Sequence, residues 1–482
     1  MKTPEQYRES LREMRPNVHK FGELIKDVTT HPATRRAVSG HAQIYAAQHD
    51  SQHRDVVTKV SSFSGERVSR YLTLIENMED MWANSRMKRL MFNLTGTCTG
   101  GRCVGWNSVN ATWATAWEID KERGTKYHEN LKNWLIEAQK RDISVCGALT
   151  DPKGDRSLPP HKQKDPDMNL RVVETSDDGI TVRGAKVQIA GAAASHEIFV
   201  LPGSGYKVDD KDYSVSFVTP KDEKGITIIE ARHPSDGRDF EDGWDNPVKC
   251  GGITQGYVFF EDVFVPRERV FMNGEWEWTM KNIMSFISPY RSAIGGCVAG
   301  QGDLMVGASA LLARANGLNE KAFGDKLNKM TINNETTFAV GIAAAACGKK
   351  HPSGVWTCDP LLANVNKVHV ATLPYETKRL AQEIGGGIAE TGCMPSWKDL
   401  ESPEHGGLVK KYLKANSTAE TRVKLARLIE WLTIGSGVPG TMHGGGSPDG
   451  AGMVIRANSD IEEKMKLVRR LIEIDEGTKV EK

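Results

Sequence analysis

The sequence predicts an α+β fold: a helical first third, a β-rich middle and a helical final part. Three observations predict it. Up to about residue 145 the apolar residues recur mostly at helical spacing. Through the middle, short β-branched and aromatic runs alternate with turn residues. From about residue 275 the helical period returns, in stretches rich in Ala and Gly. The division that follows is 1–147, 148–268 and 269–482.

The chain opens with Thr3 before Pro4, a cap-then-proline helix start, and Tyr7, Leu11 and Met14 share one face. Further helices are expected over Arg67–Met91, Ala111–Asp120 and Tyr127–Arg141. The last of these has Leu131, Trp134, Leu135 and Ala138 on one side. Leu170–Glu174 and Gly179–Ile189 read as strands around an Asp-Asp-Gly turn. His196–Leu201, Tyr213–Thr219, Gly225–Arg232 and Gly256–Phe264 follow as strands. Short strands separated by turns suggest an antiparallel barrel or sandwich. Gln301–Ala315, Phe338–Cys347 and Leu361–Ile384 read as helices of a tight bundle. Ser417 or Thr418 caps a helix that passes Leu432 and ends at Gly435. Residues 435–452, rich in Gly and Pro, read as an extended loop. The final helix repeats Ile461, Met465, Val468 and Ile472 on one face.

Length alone, 482 residues, suggests about three domains. With 63 basic and 62 acidic residues, no basic stripe asks for nucleic acid or a membrane surface. No uninterrupted apolar run reaches about 18 residues, so no membrane-spanning helix is expected. The first residues lack the apolar core of a signal peptide. A cytoplasmic protein is expected, its eight cysteines reduced thiols or metal ligands.

The stretch Gly147–Ser157 joins the first third to the middle. It is a polar turn whose backbone N–H groups and cations suit a phosphate or a ring carbonyl, or it is an ordinary turn. Gly385, Gly386 and Gly387 allow close approach of backbone to a ligand, or end a helix. Trp113 and Trp117 share a helix face and form either an aromatic box or plain core.

Three stretches resemble one family: Ala148–Arg156; Cys103-Val104-Gly105 with Gly295-Gly296-Cys297; and Met442–Pro448. They are similar to the family of 4-hydroxybutyryl-CoA dehydratase and the flavin-dependent 4-hydroxyphenylacetate 3-hydroxylases, over nearly the whole chain. The resemblance implies an acyl-CoA dehydrogenase-like fold: N-terminal α domain, middle antiparallel β-barrel, C-terminal helical bundle. It implies a homotetramer acting on a small-molecule substrate, with FAD between barrel and bundle. On that resemblance Thr150, Asp151, Lys153, Gly154, Asp155 and Gln188 meet the flavin, and Gly385–Gly387 reaches the FAD of a neighbouring subunit.

The dehydratases of this family hold a four-iron cluster with three Cys and one His. Here the matching thiols are Cys98, Cys103 and Cys297, and Tyr290 stands where the His would be. Cys98 and Cys103 are also one residue further apart than the family pattern. Either the three thiols hold a cluster with Tyr290, water or substrate at the fourth iron, or the cluster is gone and the thiols are buried remnants. An extra Gly in Thr99-Gly100-Gly101 allows the loop to bulge and keep both sulfurs in place.

The family's acid–base positions are occupied by Ile294, Val298, Gln255 and Gly440, none of them titratable. Tyr290, Gln255 and His443 remain as catalytic candidates, with Arg291 beside them. Tyr290 is an acid, a hydrogen-bond donor or a core aromatic; His443 is a proton shuttle or a loop histidine; Arg291 binds an anion or is solvated or ion-paired. Three functions follow. One is FAD-dependent elimination or isomerisation of a small acyl-CoA or related acid other than 4-hydroxybutyryl-CoA. The others are reduced-FAD-dependent aromatic hydroxylation and flavin binding without turnover.

Overall fold

The protein is described from a computed structural model, which covers residues 1–233, 236–241, 243–252, 254–435 and 443–473. The first part holds helices α1 (Pro4–Arg12), α2 (Pro32–His49), α3 (Arg54–Val57), α4 (Met78–Thr95), α5 (Arg102–Arg123) and α6 (Tyr127–Arg141). The start of α1 is as the sequence requires: Thr3 accepts from Gln6 N–H, and the Gln6 side chain accepts from Thr3 N–H. The bounds of α6 coincide with those expected. The helix expected from Arg67 begins only at Met78, where Asn77 caps it. Arg67–Ser69 (β4) instead pairs with Thr58–Val60 (β3) as a hairpin. The first third also contributes β1 (Val18–Lys20), β2 (Glu23–Ile25) and β5 (Val145–Ala148). These strands are too short for alternation to show.

The middle strands are β6 (Arg171–Thr175), β7 (Gly179–Ala190), β8 (Glu197–Val200), β9 (Val215–Pro220), β10 (Ile226–Glu230), β11 (Gln255–Pro266) and β12 (Val270–Asn273). Every middle strand read from the sequence is present. They form two sheets, ordered β2-β1-β10-β11-β7-β6 and β12-β9-β8-β5. The expected barrel is thus corrected to a sandwich: among the described residues no strand pairing closes one sheet onto the other. Nor is pairing purely antiparallel, since β1 runs parallel to β10 and β5 parallel to β8. Ile180, Val182, Ile198, Phe217, Ile228, Val258 and Phe260 fill the space between the sheets. A fully buried core of this size is what holds two sheets face to face.

Past the sandwich come α7 (Thr279–Ala315), α8 (Gly324–Ala346), α9 (Pro360–Gly385), α10 (Gly387–Glu390), α11 (Trp397–Glu401), α12 (Gly406–Leu413), α13 (Ala419–Thr433), α14 (Pro448–Asn458) and α15 (Ile461–Leu471). Helix α7 is the axis, packed by α4, α5, α8, α9 and α13. By length and composition it is apolar enough to cross a membrane, but it is largely buried inside the protein. Gly295 and Gly296 explain how it packs. A Cβ at Gly295 would stand 2.2 Å from Thr337 O on α8, and one at Gly296 2.2 Å from Ser85 O on α4. Only hydrogen fits at either crossing.

Thr418, not Ser417, caps α13. Of the expected loop 435–452, residues 436–442 lie outside the described residues, and from Pro448 on the chain is helical rather than extended. Ser447 caps α14, which Pro448 opens despite Gly450 and Gly452. Ile461, Met465, Val468 and Ile472 do not enter the core and stay 40–57% exposed.

Candidate functional site

Helix α4 is capped at Gly96, and residues 97–101 turn the chain into α5. Cys98 lies in that turn, Cys103 in the first turn of α5, and Cys297 midway along α7. All three thiols line one small, partly open cavity with Tyr71, Lys88, Met91, Phe92, Thr97 and Thr99. Gly101 has φ 111°, and a Cβ there would lie 2.6 Å from Ala190 O. The loop therefore packs directly on the end of β7 while both sulfurs stay in the cavity. The Cys98 thiol donates toward Cys297 sulfur, which with Lys88 nearby lowers the Cys297 thiol to about 7. The same contact and burial push Cys98 well up.

The donor set suits an iron–sulfur group: three soft thiols, from the turn before α5, from α5 and from α7, and no imidazole among the residues lining the cavity. Among the described residues no three His, Cys, Asp or Glu side chains converge as ligands of a single metal ion. Of the other cysteines, Cys146 and Cys358 are buried, Cys250 is half-buried, and Cys347 and Cys393 are exposed.

Tyr290 is two helical turns before Cys297 on α7, half-buried. Its ring stacks on Phe286 with centroids 5.4 Å apart. Burial and the neighbouring cysteines push its hydroxyl well above 10, so it stays protonated and can donate but not act as a base. Ile294, Val298 and Val370 form one apolar cluster against it. Ile294 and Val298 thus give this part of α7 a hydrocarbon surface. Gly440 lies outside the described residues, as does Met442 of the third motif.

His443 is exposed and begins a turn closed by Gly446 N–H to His443 O, 2.9 Å. Arg291 Nε donates to Gly445 O at 2.9 Å, and Lys367 Nζ to Gly444 O at 2.7 Å. Arg291 is therefore not solvated, and it has no ion pair among the described residues: it is 4% exposed, hydrogen-bonded to Asn364 and this turn, and lowered to about 10 by burial. Its work is to pin the Gly444–Gly446 turn against Tyr290.

The structure joins several of the flavin candidates. Thr150 O accepts from Val187 N–H at 2.8 Å, next to Gln188. Gln188 is exposed and sits at φ 58°, where β7 slips register against β11. A non-glycine residue held there marks a bulge that redirects a side chain. Asp151 is buried, paired with Lys186 at 2.7 Å and accepting from Tyr206 at 2.8 Å. It anchors the loop, leaving Lys153, Gly154 and Asp155 exposed beyond it. Gln255 opens β11 opposite Ala190, behind the Cys loop. Gly385 closes α9, Gly386 turns the chain at φ 73°, and Gly387 starts α10.

The Trp box is absent: Trp113 Nε1 donates to Ser353 O and its ring packs on Phe63 and His128, while Lys121 covers Trp117. Two residues of this region escaped sequence reading, Lys88 and Thr97. The signal for Lys88 was its place seven residues after Met81, on the buried face of α4.

Comparison with known proteins now sorts the geometry. The family model for the N-terminal part of 4-hydroxyphenylacetate 3-hydroxylase matches residues 3–272, and that for its C-terminal part matches 283–473. The chain belongs to this family. It is 37% identical to a 4-hydroxybutyryl-CoA dehydratase/vinylacetyl-CoA Δ-isomerase of Clostridium aminobutyricum, covering 97% of this chain and 99% of that protein. It is 26% identical to the oxygenase component of 4-hydroxyphenylacetate 3-monooxygenase from Thermus thermophilus, over 90% and 88% of the two chains. Among solved structures, an oxygen-tolerant archaeal 4-hydroxybutyryl-CoA dehydratase from N. maritimus superposes with a TM-score of 0.95 at 36% identity, covering 100% of this chain and 97% of the other. The oxygenase component of a 4-hydroxyphenylacetate 3-monooxygenase with FAD superposes at 0.86 and 23% identity, over 98% of each chain. A glutaryl-CoA dehydrogenase shares the general fold at 0.53, covering 95% of this chain and 94% of the other.

Proposed function

We propose that the protein is a FAD-dependent enzyme that eliminates from, or isomerises, a small acyl-CoA or related acid other than 4-hydroxybutyryl-CoA. The observation that carries this reading is the meeting of Cys98, Cys103 and Cys297 in one cavity beside Tyr290. The full-length likeness to a dehydratase/isomerase supports it. The difference in substrate is supported by Ile294 and Val298, whose apolar cluster moves no proton.

In this reading FAD lies against Thr150, Asp151, Lys153, Gly154, Asp155 and Gln188, with Gly385–Gly387 reaching it from a neighbouring subunit of a homotetramer. The three thiols hold an iron–sulfur group. Together these groups supply one-electron chemistry when bound. The protein's part is positional. Lys186 and Tyr206 fix the flavin loop through Asp151. Tyr290 presents a protonated hydroxyl to a carbonyl or leaving group. The Ile294–Val298–Val370 surface excludes water and fits an alkyl chain. Gln255 offers an amide where an acid would act, and His443 stands at the surface, able to pass protons to solvent.

The test is purification without oxygen, a visible spectrum, and iron and sulfide counts per chain. Flavin bands with iron that is lost in Cys297→Ala are expected. Flavin without iron would refute the cluster. A second reading, aromatic hydroxylation by reduced FAD and oxygen, is favoured by one observation: a Tyr, not an imidazole, at position 290. Turnover of a phenol with reduced FAD and oxygen would establish it over the first.

A further inference from the structure

The thiol cavity contains a cation that the described residues leave unsatisfied. Lys88 is 3% exposed, and its Nζ has no hydrogen-bond partner. Thr97, 1% exposed, lines the same cavity, and its Oγ1 is likewise unpartnered. The ammonium rests 4.6 Å from the centroid of the Tyr290 ring. That contact holds the charge over the π face but uses none of the three N–H donors as ordinary hydrogen bonds. A buried ammonium without acceptors is costly, and removing such a cost needs an anion with several acceptor atoms.

Cys98, Cys103 and Cys297 would supply such an anion once they held iron and sulfide. Binding deprotonates each thiol, and three thiolates outweigh the positive charge of a four-iron core in its resting state. The sulfide and thiolate atoms are acceptors in the place where Lys88 and Thr97 lack them. The unpaired cation and the unpaired anion would each be costly alone, and together they satisfy one another.

We propose that Lys88 Nζ and Thr97 Oγ1 are built-in donors to the sulfur atoms of the iron–sulfur group held by Cys98, Cys103 and Cys297, with Lys88 as its counter-charge. This rests on the reading that the thiols hold such a group. Positive charge and hydrogen bonds at cluster sulfurs favour the more reduced, more negative state, so Lys88 holds the reduction potential up.

The test uses the full-length protein, reconstituted without oxygen from iron and sulfide, as wild type, Lys88→Met, Lys88→Arg and Thr97→Val. Three quantities are read: iron and sulfide per chain, the rate of iron loss to a chelator, and the midpoint potential from an EPR-monitored titration. Lys88→Met should shift the midpoint to more negative potential and lose iron several-fold faster. Lys88→Arg should return both toward wild type, and Thr97→Val should give a smaller shift in the same direction. Wild type that takes up no iron overturns the cluster reading and this proposal together. Iron in wild type with unmoved potential and release rate in Lys88→Met overturns the proposal alone. If Lys88→Met does not fold, an unmoved Thr97→Val potential overturns it instead.

Discussion

Replacing Glu230 with Gln should make the protein's stability less dependent on pH. Glu230 ends β10, is 3% exposed, and neither carboxylate oxygen has a hydrogen-bond partner of normal geometry among the described residues. Burial raises it from the ordinary 4.5 to about 7, an effect that Lys20, the Ala193 backbone and Lys221 only partly oppose and Asp236 adds to. The folded state thus holds the proton more tightly than the unfolded chain. Stability from this group is complete below about pH 4.5 and is lost as pH rises through about 7. A shift of about 2.5 units at about 1.36 kcal/mol per unit corresponds to about 3 kcal/mol in all, of which about 2.5 kcal/mol falls between pH 5 and pH 8. Gln does not titrate, so Glu230→Gln should be closer to wild type, or more stable than it, at pH 8 than at pH 5. Urea unfolding of both proteins at the two pH values gives the difference directly, and comparing variants cancels every other titrating group. Equal stability differences at pH 5 and pH 8 would refute the argument that Glu230 is buried and neutral.

Three further outcomes are expected. Gly296→Ala places a methyl 2.2 Å from Ser85 O and should destabilise by about 1–3 kcal/mol, read as a lowered Tm. Lys186→Met leaves the buried Asp151 carboxylate without its cation, costing about 3–5 kcal/mol; FAD titration of the folded fraction should show weaker binding. Removing residues 459–482 deletes the exposed apolar side chains of Ile461, Met465, Val468 and Leu471. If that face meets another subunit, light scattering will report a smaller assembly; an unchanged mass would show that it does not.

Strands β6 to β11 were legible one by one, because β-branched runs bounded by turn residues carry a strong local signal, while four-residue β12 was not read. How those strands divide was not legible. Three-residue β1 and four-residue β5 come from the helical third and join different sheets, leaving two sheets where a barrel was expected. Helix α7 showed the same limit. Its glycines lower helix propensity, and they are there because α4 and α8 approach too closely for any side chain. At α14, Ser447-Pro448 was a legible start signal that the surrounding glycines obscured.

The sequence by itself determined the family, strands β6 to β11 and the identities of the three thiols, since these depend on residue types at short spacing. It also showed that Ile294 and Val298 cannot transfer protons. Tertiary structure decided what those residues face. Cys297, nearly two hundred positions from Cys103, enters the same cavity only because α7 packs on α4 and α5. Arg291 came to clamp the Gly444–Gly446 turn. Lys88, a residue type expected at the surface, came to lie beside the thiols with no hydrogen-bond acceptor among the described residues. Periodicity says which residues share a face; only packing says which face is inside, and burial then sets the cost of a charge.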